Sequence, residues 1–194
     1  MKTKFISNLS KPINLLLLML VLGMAACTDD DDDSVNNQPG VSANEEELIT
    51  TVVIKVKDTL TDVEQTFRWT DSDGDGGNDP SIDTITLAPN TFYEVEIEFL
   101  DESDPSDVED ITEEIEDEDD EHLICYTSSP QTMLNVLRTD SDGTYEVGLE
   151  STWESFTAQN GSLKIVLKHQ PGVKDGSCSP GETDIEIDLP VFVQ

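Results

Sequence analysis

Short runs of alternating apolar and polar residues fill the chain from residue 48 onwards, and they constrain its fold more than any other feature. The clearest run is 91–99, where Tyr93, Val95, Ile97 and Phe99 alternate with three glutamates. Successive side chains of a β-strand point to opposite faces, so this run predicts a strand with one buried and one hydrated face. Similar runs occur at 48–56, 63–69, 82–87, 123–127, 132–138, 144–151, 162–169 and 184–193.

These runs predict a mainly β protein, an antiparallel, Ig-like β-sandwich of about seven to nine strands. Turns rich in Gly, Asp, Asn and Pro separate the runs, and no repeating helices lie between them, as a parallel sheet would require. The alternation also assigns a core-facing set in each of four runs. These sets are Val52, Ile54 and Val56; Val63, Phe67 and Trp69; Leu163, Ile165 and Leu167; and Ile185, Ile187 and Leu189.

One segment departs from the alternation and predicts a short acidic helix over 105–116. Ser103 and Asp104 can cap a helix that begins at Pro105, a residue favoured at the first helical position. Val108, Ile111 and Ile115 follow at helical spacing and would lie on the sandwich. Fourteen of the 21 residues from 101 to 121 are acidic, which helps the first turn and opposes the last. Most of these acids are expected to form a solvated face.

The first 26 residues have the order of parts of a secretory signal peptide. Three lysines precede the apolar run 15–22, which is too short to span a bilayer stably, and the small residues Ala25 and Ala26 precede Cys27. The sequence Met24-Ala25-Ala26-Cys27 resembles a bacterial lipobox. That resemblance implies cleavage before Cys27 and lipidation of Cys27, whereas an ordinary signal peptide with a chance cysteine is the alternative.

Residues 27–44 predict a lipidated, acidic and disordered tether to a domain spanning 45–194. Five consecutive aspartates, 29–33, are followed by small and polar residues that bury little apolar surface. An acidic run after a lipidated cysteine resembles the surface-export signal of Bacteroidota lipoproteins. The resemblance implies an outer-membrane protein displayed at the cell surface, with a spacer facing the periplasm as the alternative.

The acidic balance excludes some partners. The chain has 43 acidic and 10 basic residues, for a formal net charge of −33. Removing residues 1–26 removes three lysines, so the mature charge becomes −36. Such a chain repels phosphate, so a nucleic-acid partner is not expected, and membrane association would depend on the lipid anchor.

An aspartate-rich stretch at 71–83 is a candidate calcium-binding loop. Asp71, Asp73, Asp75 and the following glycine match the first half of an EF-hand loop, in which carboxylates supply hard oxygen ligands. The second half does not match, because position twelve is Ile82. Calcium binding would therefore need Asp79 or Asp83 to complete the shell, and the alternative is a solvated hairpin loop in which Asp and Gly serve turn chemistry.

Two cysteines and two histidines are further candidates. Cys125 and Cys178 are the thiols left after lipidation of Cys27, and an even pair in an exported protein is a disulfide candidate. His122 and His169, with these cysteines or a nearby glutamate, could form a soft-metal site. Their spacing matches no metal motif, so the sequence favours surface or packing positions for both histidines.

Catalytic motifs do not emerge from the sequence, which therefore predicts a non-enzymatic protein. It contains no G-x-S-x-G, H-E-x-x-H, phosphate-binding or dinucleotide motif. The aromatic residues are expected in the core, with an exposed sugar-binding pair of Trp153 and Phe156 as the alternative. The core set is Phe67, Trp69, Tyr93, Trp153 and Phe156.

Several stretches of the mature region resemble a family of small flavobacterial lipoproteins of unassigned function. They are residues 45–52, 67–69 leading into 71–77, 110–115, 169–176 and 180–184. Some members carry a periplasmic-binding-fold label, whereas the residues here predict a β-sandwich. The resemblance implies a cell-envelope lipoprotein that works beside an outer-membrane nutrient receptor.

Two functional hypotheses follow from these features. The first is a non-enzymatic binding or accessory module that assists an outer-membrane nutrient or metal receptor. The second is a structural or adhesive surface protein with a calcium-stabilised loop.

Overall fold

A computed structural model describes residues 48–74 and 76–194. The predicted signal peptide 1–26, the predicted tether 27–44 with the expected lipidation residue Cys27, and the candidate ligand Asp75 lie outside the described residues. The described part is mainly β and contains eleven strands and one α-helix. In chain order they are β1 (Thr51–Asp58), β2 (Glu64–Thr70), β3 (Ser81–Ile82), β4 (Ile85–Leu87), β5 (Phe92–Asp101), β6 (Glu109–Asp110), α1 (Ile111–Asp117), β7 (His122–Ser129), β8 (Leu134–Arg138), β9 (Glu150–Ser155), β10 (Gln159–His169) and β11 (Glu182–Val193).

The strands form two sheets whose inner faces share one hydrophobic core. The first sheet has the order β3-β2-β1-β5-β9-β8, with β6 paired to β5, and the second has the order β4-β11-β10-β7. Apolar side chains from both sheets and from α1 belong to the same buried cluster. The prediction of a β-sandwich with one short helix is therefore confirmed.

The sheets differ from the predicted arrangement in strand number and in one pairing. The single predicted strand 82–87 is divided, because β3 pairs with β2 in the first sheet whereas β4 joins the second sheet. The pairing of β4 with β11 is parallel, so the sandwich is not wholly antiparallel as predicted. This ladder joins Ile85–Leu87 to the last three residues of β11, which a local sequence pattern does not reveal.

The alternation located most of the core correctly. Val52, Ile54 and Val56 are fully buried in β1, and the four predicted core residues of β5, Tyr93, Val95, Ile97 and Phe99, are at most 2% exposed. The core-facing sets of β10 and β11 are also confirmed, with Ile185 partly buried at the edge. Val63 is the exception, because β2 begins one residue later and Val63 lies in the turn, 56% exposed, where its carbonyl accepts from the Asp58 N–H.

The helix is shorter than predicted and begins later. Asp110 caps it by accepting from the Thr112 N–H at 3.0 Å, so α1 starts at Ile111. Asp104, the expected cap, instead accepts from the Ser106 N–H and holds a local turn, in the competition typical of short polar side chains. Val108 therefore precedes the helix and is exposed, while Ile111 and Ile115 are buried as predicted.

The predicted strand at 144–151 is displaced toward the C-terminus, to β9. Two aspartates hold the residues before β9 in turns. Asp142 accepts from the Thr144 and Tyr145 N–H groups, and Asp140 accepts from the Gly148 and Leu149 N–H groups. These side-chain acceptors occupy backbone donors that a strand ladder would need, so the alternation there does not produce a strand.

Candidate functional site

Two histidines face one another at one end of the second sheet. His122 begins β7 and His169 ends β10, and the two residues are direct partners in the antiparallel ladder. Their imidazole rings stack with centroids 4.7 Å apart and an angle of 7° between planes. Strand alternation places them on the same face as Ile124 and Leu167, so they extend the core-facing rows by one residue. We call this region, with the turn 118–121, the histidine end.

Backbone and side-chain acceptors orient both rings. The Nδ1 of His122 lies 3.1 Å from the carbonyl oxygen of Glu118. A carbonyl can only accept, so Nδ1 carries the proton and Nε2 keeps its lone pair. The Nε2 of His169 lies 3.4 Å from a carboxylate oxygen of Glu121.

Glu118 brings a third donor to the histidine end. It follows α1 as the C-cap residue, and its N–H donates to the Glu114 carbonyl. One ligand atom from each of Glu118, His122 and His169 lies within 4.8 Å of the other two. Among residues 48–74 and 76–194, this is the one group of three histidine, cysteine or acidic side chains whose ligand atoms lie close enough together to hold a metal ion.

The electrostatic environment keeps one of these rings neutral. Burial lowers the pKa of His122 below its usual value, and the neighbouring His169 lowers it further, against the opposing effects of the Glu118 carbonyl and nearby carboxylates. His122 is 2% exposed, whereas the side chain of His169 is 13% exposed and Glu118 is exposed. A neutral imidazole offers a lone pair to a metal ion without first losing a proton.

The loop 170–181 is fixed beside the histidine end by a disulfide. Cys125 in β7 and Cys178 in this loop form a disulfide with a Cα–Cα distance of 6.1 Å. Both sulfurs are therefore unavailable as thiolate ligands, and the alternative in which these cysteines complete a histidine metal site is not supported. The buried Gln170 also holds the loop, because its side-chain amide donates to the carbonyls of Ser177 and Pro180.

A buried ion pair ties the same loop to two other turns. Lys174 Nζ lies 2.8 Å from Asp142 Oδ2 and donates to the Asp119 carbonyl at 2.6 Å. The side chains of Lys174 and Asp142 are only 3% and 4% exposed. Lys174, helped by two backbone N–H donors, lowers the pKa of Asp142 to about 2. The contact joins the loop 170–181, the turn before β9 and the turn after α1.

The candidate calcium loop uses several carboxylates for its own turns. Asp71 accepts from the Gly74 N–H, Asp73 accepts from the backbone and side chain of Asn78, and Asp83 accepts from the Arg68 N–H of β2. Gly77 lies so close to Asp73 that an added Cβ would overlap its carboxylate. The described members, Asp71, Asp73, Asp79 and Asp83, do not form a three-ligand group within the described part of the chain. Calcium binding by this loop remains a prediction.

The structure also decides between the interpretations of the aromatic residues. Trp153 is fully buried, Tyr93 is 2% exposed and Phe67 is 8% exposed, so these are core residues. Trp69 packs partly buried against the core, and Phe156 is half-buried. An exposed pair of Trp153 and Phe156 for sugar binding is therefore excluded.

Sequence reasoning identified both histidines but not their contact. The missing signal was the alternation itself, because His169 is the next inward position after Leu167, and His122 occupies the equivalent position before Ile124. The end of α1 was predicted to within one residue, but the packing of Glu118 beside the two histidines was not, because it depends on how the turn after α1 meets β7 and β10.

The comparisons with known proteins provide no further assignment. No protein-family model matches the chain, and searches of curated proteins and of solved structures found no significant match. No helix in the described residues is long and apolar enough to cross a membrane.

Proposed function

We propose that this protein is a lipid-anchored, non-enzymatic binding module of the bacterial outer membrane that assists a nutrient or metal receptor. The observation that carries the binding role is the histidine end, where two in-register imidazoles and a carboxylate meet beside a loop fixed by a disulfide and an ion pair. Donors held by packing and hydrogen bonds are favourable for binding, because little conformational entropy is lost when a ligand arrives.

The envelope location is supported by two independent features. The order of lysines, apolar run, small residues and Cys27 resembles a lipoprotein signal. The disulfide is the kind of bond that forms and persists in exported proteins. The acidic run 29–33 favours the cell surface over the periplasmic face through its resemblance to an export signal.

Substituting Cys27→Ser is expected to move the protein from the membrane fraction to the soluble fraction, because the acyl chains supply the anchoring energy. Cell fractionation followed by mass spectrometry of the N-terminal peptide checks this result. A matched Thr28→Ser variant should remain in the membrane. Membrane retention of the Cys27→Ser variant would contradict lipid anchoring.

The orientation and the accessory role need separate measurements. Protease added to intact cells should cleave a surface-displayed protein, whereas a periplasm-facing protein should remain whole. Purification of the lipidated protein under mild detergent should recover an outer-membrane receptor. Failure to recover any receptor after crosslinking would argue against the accessory role.

The second candidate function is a structural or adhesive surface protein with a calcium-stabilised loop. The observation that favours it is the set of acids between β2 and β3, where Asp73 organises the turn by accepting from Asn78. This hypothesis requires the loop to gain stability when calcium binds.

Millimolar calcium is expected to raise the melting temperature of the oxidised protein by roughly 4 °C if the loop binds with a Kd near that of extracellular calcium modules. Differential scanning calorimetry measures this increment by comparing the protein without calcium and with calcium at roughly five to ten times the Kd, which corresponds to roughly millimolar concentrations. The increment should be lost in Asp73→Asn. This variant also loses acceptors for Asn78, so the comparison must use the calcium-dependent increment and not the melting temperature itself.

Asp104→Asn is the matched control, since Asp104 is also an exposed aspartate that accepts from a nearby backbone N–H, but outside the loop. It should keep the full calcium increment. No increment in the unsubstituted protein would rule out the calcium-stabilised loop.

A further inference from the structure

We infer that Glu118, His122 and His169 form a binding site for one divalent transition-metal ion of the zinc class. This inference deepens the proposed binding role and rests on it, since it names the class of ligand that the histidine end takes. It does not depend on lipid anchoring or on the receptor. Its failure in a purified protein is therefore distinguishable from failure of the localisation experiments.

The donor set determines the class of metal. Two imidazole nitrogens and one carboxylate oxygen match the ligands that zinc prefers, whereas calcium and magnesium prefer sets made entirely of oxygen. Three protein ligands also leave one position of a tetrahedral ion for water or an incoming ligand. The histidine end therefore differs in chemistry from the aspartate-rich loop at 71–83.

The hydrogen bonds to the two rings resemble those that orient metal-binding histidines in other proteins. Ligating histidines donate their second ring N–H to a carbonyl or carboxylate, which fixes the orientation of the ring. The Nδ1 of His122 donates to the Glu118 carbonyl, and the Glu121 carboxylate lies beside the His169 ring. The same residue, Glu118, thus orients one histidine through its backbone and offers its side chain as a ligand.

Only a small rearrangement is needed to bring the donors around an ion. Tetrahedral zinc with bonds of about 2.0–2.1 Å places its ligand atoms roughly 3.4 Å apart. The three donor atoms lie within 4.8 Å of one another, so no separation must shorten by more than about 1.4 Å. Rotation of the exposed Glu118 side chain and of the partly exposed His169 ring can supply this change, while the buried His122 remains in place.

The surroundings favour a bound cation. Glu114 and Glu121 act on His122 through their negative charge. Because the mature chain carries a large excess of acids, a cation is attracted to the whole molecule as well as to this site. Specific binding must therefore be separated from general attraction by the acidic surface.

The test is titration of Zn²⁺ into the oxidised full chain carrying Cys27→Ser, purified in detergent, with millimolar calcium present to occupy weak oxygen sites. Cys27→Ser removes the remaining thiol, so zinc binding to a free cysteine cannot contribute. Isothermal calorimetry should give one equivalent of bound zinc. Substitution of Co²⁺ should give visible absorption bands typical of tetrahedral coordination.

His169→Gln and Glu118→Gln should each weaken zinc binding by about tenfold or more, since each removes one ligand. Glu116→Gln is the matched control, because Glu116 is an exposed glutamate of α1 outside the three-donor group, and it should bind as the unsubstituted chain does. His122→Gln is less decisive because His122 is buried, so the variants at the more accessible Glu118 and His169 carry the test if the His122 variant does not fold.

Two results would overturn the inference. One is the lack of a stoichiometric zinc-binding event in the folded, unsubstituted chain. The other is unchanged zinc affinity in both His169→Gln and Glu118→Gln, which would assign the binding to the acidic surface. The melting temperature of each variant without metal verifies that the folded state is retained.

Discussion

Replacing Cys125 and Cys178 together with alanine is expected to lower the free energy of unfolding by about 4 kcal/mol. The disulfide closes a segment with a sequence separation of 53 residues, and its loss restores the conformational freedom of that segment in the unfolded chain. This change is a large part of the total stability of an ordinary domain, which is roughly 5–15 kcal/mol. Urea unfolding of the variant and of the oxidised parent chain measures the difference.

Reduction provides the matched control for the disulfide. A thiol reductant should destabilise the parent chain by a similar amount and should leave the double-alanine variant unchanged. Both comparisons should use the Cys27→Ser background, so that only this disulfide responds. A difference below about 1 kcal/mol would contradict a structural role for the bond, since it lies well under the usual range.

Asp142→Asn is expected to lower the free energy of unfolding at pH 7 by about 2 kcal/mol. The substitution leaves Lys174 nearly inaccessible to solvent without its counterion, which is costly because a charge removed from water is then unpaired. Loops rather than strands cover this pair, so we expect a cost below the roughly 3–5 kcal/mol seen when buried pairs are broken. Chemical unfolding of variant and parent at several pH values measures it.

The effect of Asp142→Asn should depend on pH in a defined direction. The folded state lowers the pKa of Asp142 from 3.8 to about 2, so the carboxylate stabilises the fold at pH values above the unfolded pKa. This contribution decreases as the pH falls through the unfolded pKa of 3.8 toward the folded pKa of about 2, and it is lost below that value, where Asp142 is protonated in both states. The difference between parent and variant should therefore be largest near neutral pH and small at pH 2.

An exposed ion pair supplies the control for Asp142. Lys57 Nζ lies 2.9 Å from Asp62 Oδ1, but the Asp62 side chain is 83% exposed. Asp62→Asn should change stability far less than Asp142→Asn does, because solvent screens such pairs. Equal effects of Asp62→Asn and Asp142→Asn would show that burial of the Lys174 pair contributes nothing.

The alternation of apolar and polar residues predicted the strands well where one face of the strand is buried and the other is exposed to solvent. In β5, glutamates separate Tyr93, Val95, Ile97 and Phe99, and all four apolar residues are buried. Prediction was less accurate where short polar side chains bind the backbone. Asp110 capped α1 in place of Asp104, and Asp142 held a turn where a strand was expected. Local alternatives of this kind differ by about 1 kcal/mol, which a residue pattern does not resolve.

The amino-acid sequence by itself determined the fold class, most of the buried face of each long strand and the two histidines among the candidate ligand residues. It did so because strand periodicity is local, and each residue's burial follows from its position in the alternation. Tertiary structure decided the parallel pairing of β4 with β11, the formation of the candidate disulfide between Cys125 and Cys178, and the meeting of His122, His169 and Glu118. These contacts join residues far apart in the chain, so they depend on strand order and on how the turns pack against the sheets, and neither is encoded in any short segment.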